Sequence, residues 1–197
     1  MNLFYLIRHG ETFWNEAGKF QGHADIELNE NGKNQAKKLQ EVVLKLSPDR
    51  VLSSDLKRAY ETAKISTEFL NLKIQCDKRF REAHIGEAQG LTYSQLIDSF
   101  GKDLMNQWRS NSRKHLDCRY PQGESGAEMI KRILEGLTFF NSDPVDKTLI
   151  FTHGGVIRRV MQHLSDHSFE RIPIPNGIVY PIQFKNEHWN ILPLIHF

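Results

Sequence analysis

The stretch LIRHGETFWN, residues 6–15, ends a short apolar run by placing Arg8 beside His9, with Gly10 directly after them. An apolar run that stops at charged residues and a glycine is typical of a buried strand followed by a turn. The guanidinium of Arg8 should lower the pKa of the His9 imidazole, because a neighbouring cation disfavours imidazolium. A neutral imidazole is a nucleophile, so this strand end is a candidate catalytic position.

Three other short runs predict further buried strands: RVLSS (50–54), LKIQC (72–76) and TLIFT (148–152). Between the runs, apolar residues recur at helical spacing in three stripes: Ala36, Leu39, Val43 and Leu46; Ile130, Ile133, Leu134 and Leu137; Val156, Ile157, Val160, Met161 and Leu164. We interpret these stripes as core. The alternation predicts a three-layer α/β/α fold with a mostly parallel central sheet, and IVYPIQF and HWNILPLI near the C-terminus predict antiparallel edge strands.

The length and composition favour one domain over residues 1–197. The formal net charge of +2 is spread along the chain, and no long basic block suggests nucleic-acid binding. There is no apolar segment of 18 residues and no signal peptide, so we expect a cytoplasmic protein that does not bind a membrane. Residues 86–123 break the alternation of strands and helices and are weakly apolar, which we interpret as an inserted lid.

Polar residues follow three of the predicted strands, and ligands of open α/β sheets bind beyond the carboxyl ends of the strands. The first strand leads to Arg8 and His9. The second leads to Ser54 or Asp55 as a helix cap and to Arg58, which can reach back over the strand end. The last leads to His153 and two glycines that open a helix, a natural site for an anion. Two histidines and two arginines are therefore expected to converge on one phosphate.

These residues resemble those of the histidine phosphatase superfamily, which includes cofactor-dependent phosphoglycerate mutases and many small phosphatases. Six blocks occur in the family's order: LIRHGETFWN, FQGHADIELNENGKNQA, SSDLKRAYETA, FREAHIGEAQG, YPQGES and FTHGGVIR. The resemblance implies that His9 is phosphorylated during turnover, with Arg8, Arg58 and His153 holding the phosphoryl group. It also implies that Asn15 and the backbone of Gly154 assist, that Gln21 and Gly22 line the pocket, and that Glu82 is the proton donor.

The function that follows is a metal-independent phosphomonoester hydrolase acting through a phosphohistidine on a small phosphorylated substrate. A phosphoglycerate mutase is the alternative, because GEAQG (86–90) lies between the phosphatase and mutase patterns. A noncatalytic module that binds anions or partners is a second alternative, disfavoured by the presence of both His9 and Glu82. No cofactor or metal is expected, since HExxH and paired Cys/His spacings are absent. A homodimer is left open.

Overall fold

The computed structural model describes residues 2–110, 112–143, 145–165, 174–176 and 178–196. Within these ranges the strands are β1 (Asn2–Arg8), β2 (Arg50–Ser53), β3 (Ile74–Cys76), β4 (Lys147–Thr152), β5 (Ile178–Lys185), β6 (His188–Ile191) and β7 (Ile195–His196). The α-helices are α1 (Phe13–Glu16), α2 (Glu30–Leu46), α3 (Lys57–Ser66), α4 (Tyr93–Phe100), α5 (Lys102–Arg109), α6 (Gly126–Asn141) and α7 (Gly154–Leu164). Short 3₁₀ turns cover Lys78–Phe80, Gly86–Ala88 and Arg113–His115.

The sheet runs in the order β3-β2-β4-β1-β5-β6, with β7 also paired to β5. The four strands β3, β2, β4 and β1 are parallel, whereas β5, β6 and β7 are antiparallel to their neighbours. The predicted mostly parallel sheet with antiparallel strands at one side is therefore confirmed. The predicted third strand is shorter than expected, because only Ile74–Cys76 of residues 72–76 pair with β2.

Side chains alternate between two faces of β1, as the period of a strand requires. Phe4 and Leu6 belong to a core cluster that includes buried residues of α4, α5, α6 and α7. Tyr5 and Ile7 belong to a second cluster on the opposite face, with buried residues of α2 and α3. Two helical layers thus enclose the sheet, which gives the predicted α/β/α arrangement.

Residues 86–123 are more firmly packed than their composition suggested. Leu96 from α4, Met105 from α5 and Tyr120 are fully buried in the core cluster of that face. Three well-spaced apolar side chains therefore anchor a segment whose overall composition is weakly apolar. Whether it acts as a lid, and whether residues 1–197 are one domain, stay predictions.

Candidate active site

The site lies where three neighbouring parallel strands end. In the sheet β4 is flanked by β2 and β1, with Ser53 opposite Phe151 and Arg8 opposite Thr152. The ladder continues one residue further on each side: Ser54 N–H donates to the Phe151 carbonyl at 2.8 Å, and His9 N–H donates to the Thr152 carbonyl at 2.9 Å. This pairing places His9 and Ser54 on either side of the strand that leads to His153.

His9 is a buried imidazole whose tautomer follows from its hydrogen bond. Its Nδ1 lies 2.6 Å from the carbonyl oxygen of Gly10. A carbonyl can only accept, so Nδ1 carries the proton and Nε2 keeps its lone pair. Burial lowers the pKa of His9 well below its usual value, and Arg58 and then Arg8 lower it further. The expected lowering of this pKa by Arg8 is therefore confirmed, although burial and Arg58 contribute more.

The backbone around His9 is fixed by close packing. Gly10 N–H donates to Oγ1 of Thr62 at 2.9 Å, and the Asn176 side-chain amide donates to the His9 carbonyl. A Cβ on Gly10 would lie 2.5 Å from the carbonyl oxygen of Gly32. Gly10 does not have a positive φ. Glycine is required here because two backbone segments touch, and not because the chain makes a left-handed turn.

Arg58 is a fully buried arginine at the start of α3. Its Nη1 donates to the Ala24 carbonyl at 2.7 Å and its Nη2 to the Gly22 carbonyl at 2.8 Å, while its buried Nε has no partner in the described residues. Burial lowers the pKa of Arg58 to about 10. The guanidinium thus orients the loop that carries Gly22 and keeps one donor for another acceptor.

The predicted side-chain cap of α3 is wrong. The N-cap is Leu56, with no side-chain capping bond. Asp55 instead accepts two hydrogen bonds of 2.6 Å from Arg81. Ser54 Oγ lies 2.8 Å from Nε2 of His153 and accepts a weaker bond from Leu56 N–H at 3.3 Å.

The His153 ring packs edge-on against the His9 ring, with 5.1 Å between the ring centroids. Its ring is fully buried, and its Nδ1 has no hydrogen-bond partner in the described chain. Burial lowers the pKa of His153 well below its usual value, helped by the charge of Arg58. Since the Ser54 hydroxyl already accepts from Leu56, it can donate to Nε2, which leaves Nδ1–H of His153 as a donor.

Arg8 completes this group of donors. Its Nη1 donates to the Ile174 carbonyl at 2.5 Å, and its Nε is buried without a partner among the described residues. Burial lowers the pKa of Arg8, and the nearby charge of Glu82 partly opposes that shift. Arg8, Arg58 and His153 therefore each hold one buried, unused nitrogen near His9.

Glu82 approaches the same place from the loop after β3. Its Oε2 accepts from Gly155 N–H at 3.0 Å and its Oε1 from Ala83 N–H at 2.9 Å. Its carbonyl accepts from Nε2 of His23 at 2.8 Å and from Nη2 of Arg132 at 2.9 Å. The carboxyl group is thus fixed against the first turn of α7.

Arg132 also ties the neighbouring backbone to α6. Its Nη1 donates to the carbonyls of Arg79 and Arg81 at 2.7 and 2.8 Å, and its Nε and Nη2 form a two-point ion pair with Glu124. This guanidinium therefore organises the segment that presents Glu82.

A cavity of about 310 Å³ opens over His9. The predicted residues that line it are Arg8, His9, Asn15, Gln21, Gly22, Arg58, Glu82 and Gly154. His153 is not among the residues that line it, but its ring packs against that of His9, with 5.1 Å between the centroids. The side-chain oxygens of Asn15 and Gln21 lie within hydrogen-bond distance of the Thr12 hydroxyl, at 3.1 and 3.0 Å, which leaves both amide nitrogens as donors for the cavity.

Sequence reasoning missed several residues here. Lys19, Phe20, Trp108 and Arg158 also line the cavity. Arg158 lies four residues after Gly154 on α7, so helical spacing could have placed it on the same face. The linear sequence presents Ser54 only as a possible cap, because its position beside His153 depends on strand pairing that a linear motif does not show.

Neither a metal-binding cluster nor a membrane-spanning helix occurs in the described part of the chain. It contains no cluster of three or more His, Cys, Asp or Glu side chains that could hold a metal ion. Nor does any described helix have the length and apolar character needed to cross a membrane.

Comparison with known proteins gives one consistent result. The family model described as "Histidine phosphatase superfamily (branch 1)" matches residues 4–195. The chain is 33% identical to "Uncharacterized phosphatase PhoE" of Bacillus subtilis, over 97% of this chain and 93% of that protein. It is 34% identical to "Probable phosphoglycerate mutase GpmB" of Serratia proteamaculans, over 94% and 86% of the two chains. A mycobacterial glucosyl-3-phosphoglycerate phosphatase solved with VO3 superposes with a TM-score of 0.83 at 28% identity, over 97% of each chain.

Proposed function

Because the chain belongs to the histidine phosphatase superfamily, we propose that it hydrolyses phosphomonoesters through a phosphohistidine formed at Nε2 of His9. One observation carries the proposal: a neutral, buried imidazole with a free Nε2 faces a cavity beside three buried nitrogens that have no partner in the described chain. These three are Nε of Arg8, Nε of Arg58 and Nδ1 of His153, and Nε of Arg158 is a further such nitrogen at the same cavity. Buried donors normally have acceptors, and the equatorial oxygens of a phosphoryl group would supply them.

In the first step Nε2 of His9 attacks phosphorus, and the P–O bond to the alcohol breaks as the N–P bond forms. Glu82 gives its proton to the departing alkoxide. Each carboxyl oxygen of Glu82 accepts only one backbone N–H, so a lone-pair position is left where either can carry that proton.

In the second step water attacks phosphorus and gives a proton back to Glu82, while the N–P bond breaks and releases inorganic phosphate. The hydrogen bond from Nδ1–H of His9 to Gly10 holds the ring in one orientation through both steps. Splitting the reaction at a covalent intermediate replaces one difficult displacement by two easier ones.

Charge compensation by protein groups supports a reaction that needs no metal. Phosphoryl transfer depends mainly on positioning and on stabilising negative charge at the equatorial oxygens. Arg8, Arg58 and the N-terminus of α7 at Gly154 supply that stabilisation in this cavity. Full activity after treatment with EDTA is the expected result, and activity that returns only on adding Mg²⁺ or Zn²⁺ would contradict it.

Hydrolysis is the proposed net reaction, with mutase activity as the second candidate because the GpmB relative carries that name. The relative from Bacillus subtilis carries a phosphatase name. Residues 86–123 bring few basic groups to the cavity: Arg113 and Lys114 are exposed, and exposed Arg119 pairs with Glu128. A mutase must hold its substrate firmly while excluding water, and Arg113, Lys114 and Arg119 do not line the cavity over His9, although Arg109 lines a neighbouring cavity.

Rapid quench with labelled substrate tests the proposal. The parent protein should form an acid-labile, base-stable phosphoenzyme at a rate consistent with turnover, and His9→Ala should form none. Retained turnover in His9→Ala would reject the phosphohistidine. Product analysis with 3-phosphoglycerate and a bisphosphoglycerate primer separates the two net reactions: interconversion of 2- and 3-phosphoglycerate without comparable phosphate release from any ester would establish the mutase instead.

A further inference from the structure

A second cavity of about 210 Å³ adjoins the one over His9. The residues that line both cavities are Phe20, Ala83, Trp108, Gly155 and Arg158. Among these shared residues only Arg158 is charged. The two cavities are therefore neighbouring parts of one cleft, with a guanidinium between them.

Arg158 has no anionic hydrogen-bond partner among the residues that the structure describes. Its Nε is buried with no hydrogen-bond partner, and it forms no ion pair in the part of the chain that the structure describes. Burial lowers the pKa of Arg158, Glu82 opposes that shift, and the charge of Arg109 adds to it. A buried arginine normally has a partner, because an unpaired charge is costly to desolvate.

Arg159 shows the contrast on the next residue of α7. Its Nη2 donates to the Trp108 carbonyl at 2.9 Å, and its Nη1 donates to Oε1 of Gln162 at 3.1 Å and to the Ser110 carbonyl at 3.4 Å. These bonds hold the end of α5 against α7. They also place Arg109, which lies between Trp108 and Ser110 in the chain, at the wall of the second cavity.

The lining of the second cavity suits an anion on a short apolar spacer. Among the described residues, the charged ones that line it are Arg109, Arg158 and Arg159, with no carboxylate, and its other walls include Phe20, Trp108 and Met129. Arg109 packs over the Tyr93 ring at 5.4 Å and has no ion-pair partner in the described residues. Two guanidiniums thus remain for a ligand.

We propose that Arg158, assisted by Arg109, binds a second anionic group of the substrate, a carboxylate or a second phosphate, while the esterified phosphate sits at His9. This inference rests on the proposed phosphatase function and narrows its substrate class to small phosphomonoesters with two anionic groups. Arg158 lies four residues after Gly154, about 6 Å along the axis of α7, so the two anions would be a few bonds apart.

Matched esters test the subsite. Phosphoglycolate is compared with hydroxyethyl phosphate, in which a CH₂OH group replaces the carboxylate, and with ethanediol bisphosphate, which carries a second phosphate. In the parent protein, kcat/KM for phosphoglycolate or for the bisphosphate should exceed that for hydroxyethyl phosphate by about 10- to 100-fold, as expected for a charge-assisted hydrogen bond. The ester with the larger advantage over hydroxyethyl phosphate shows whether the subsite binds a carboxylate or a second phosphate.

Arg158→Gln should remove most of that preference, so that kcat/KM falls by a larger factor for phosphoglycolate or the bisphosphate than for hydroxyethyl phosphate, and Arg109→Gln should remove part of it. Arg119→Gln is the control, because Arg119 is exposed and lines neither cavity. An equal loss on all three esters in Arg158→Gln would place this residue in the clamp for the reacting phosphate and overturn the subsite. A parent protein with no preference would overturn it as well.

Binding measured by calorimetry in a His9→Ala background gives the same comparison without turnover. If the parent protein forms no phosphohistidine, but the His9→Ala protein binds phosphoglycolate better than hydroxyethyl phosphate in an Arg158-dependent way, the proposed function fails and the subsite stands. If turnover proceeds through phosphohistidine and the binding preference is absent, the subsite fails and the proposed function stands.

Discussion

Gly155 N–H donates to Oε2 of Glu82 at 3.0 Å, and a Cβ built on Gly155 would lie 2.0 Å from Oε1 of the same carboxylate. The first turn of α7 therefore receives the Glu82 carboxyl at a distance that only glycine allows. Because that turn also carries Gly154, the cavity places the proposed acid and the helix N-terminus side by side. The second glycine of HGGVIR thus has a role in positioning the proposed acid.

Gly155→Ala should displace Glu82 and weaken leaving-group protonation. General acid catalysis contributes about 10²- to 10⁴-fold, so we expect kcat on an alkyl phosphate to fall by at least about 10-fold. p-Nitrophenyl phosphate needs little protonation and should be far less affected. In a Glu82→Gln background the Gly155→Ala substitution should cause little further loss in kcat, because both changes remove the same function, protonation of the leaving group. Equal losses on both substrates would show that the alanine disturbs the site in another way.

Ser54→Ala should loosen His153 by removing its hydrogen bond at Nε2. We expect kcat/KM to fall about 10-fold, since a buried nitrogen is left unpaired and the ring loses its fixed tautomer. Nitrogen NMR should show protonated Nδ1 in the parent protein and a tautomer mixture in the variant. Ser53→Ala is the control: Ser53 is also buried, but its hydroxyl donates to the Ser54 carbonyl. A variant whose His153 spectrum matches the parent would contradict this role.

Arg132→Lys should reproduce the effect of losing Glu82, because one ammonium cannot bond three carbonyls and a carboxylate as the guanidinium does. The expected result is a larger fall in kcat for alkyl phosphates than for p-nitrophenyl phosphate. Arg119→Lys alters an exposed ion pair and should change both rates by less than about 3-fold, since such pairs contribute only about 0–1 kcal/mol. A fall in thermal stability with an unchanged ratio of the two rates would make Arg132 purely structural.

The strand ends and the fold could be predicted because they depend on local patterns. Apolar runs in the sequence predicted β1, β2 and β4. Residues that directly follow parallel strands of one sheet lie at the same edge of that sheet. Arg8, His9 and His153 are found there for that reason. Glu82 follows a 3₁₀ turn beyond β3 and has no periodicity of its own, so only the family resemblance pointed to it.

Other features depend on contacts between distant segments. The contact of Gly10 with Gly32, the bond from Ser54 to His153 and the approach of Trp108 to the cavity each join residues from separate elements. The composition of residues 86–123 predicts a weakly apolar lid. The burial of Leu96, Met105 and Tyr120 depends on contacts with other elements of the core, which composition does not show. Tertiary packing therefore decided what local composition could not.

The last prediction concerns stability against acid. Burial lowers the pKa of both His9 and His153 far below the ordinary value of 6.5. Below that value the unfolded chain binds protons that the folded protein does not, so the free energy of unfolding should decrease as the pH falls. Each histidine contributes up to about 1.4 kcal/mol per pH unit to this slope. Above pH 7 both states are neutral at these positions and the slope should vanish.

Denaturant unfolding in phosphate-free buffer between pH 5 and 8 measures this slope. His9→Asn and His153→Gln keep a donor or acceptor near each ring's hydrogen bond but do not titrate, so the double variant should lose most of the slope below pH 6.5. The half-buried His23, whose pKa burial also lowers, should account for a smaller remainder. Glu11 and Asp55 have pKa values held below their usual ones by hydrogen bonds, and their contribution is lost only below about pH 4.5. An unchanged slope in the double variant would mean that other groups cause the acid sensitivity.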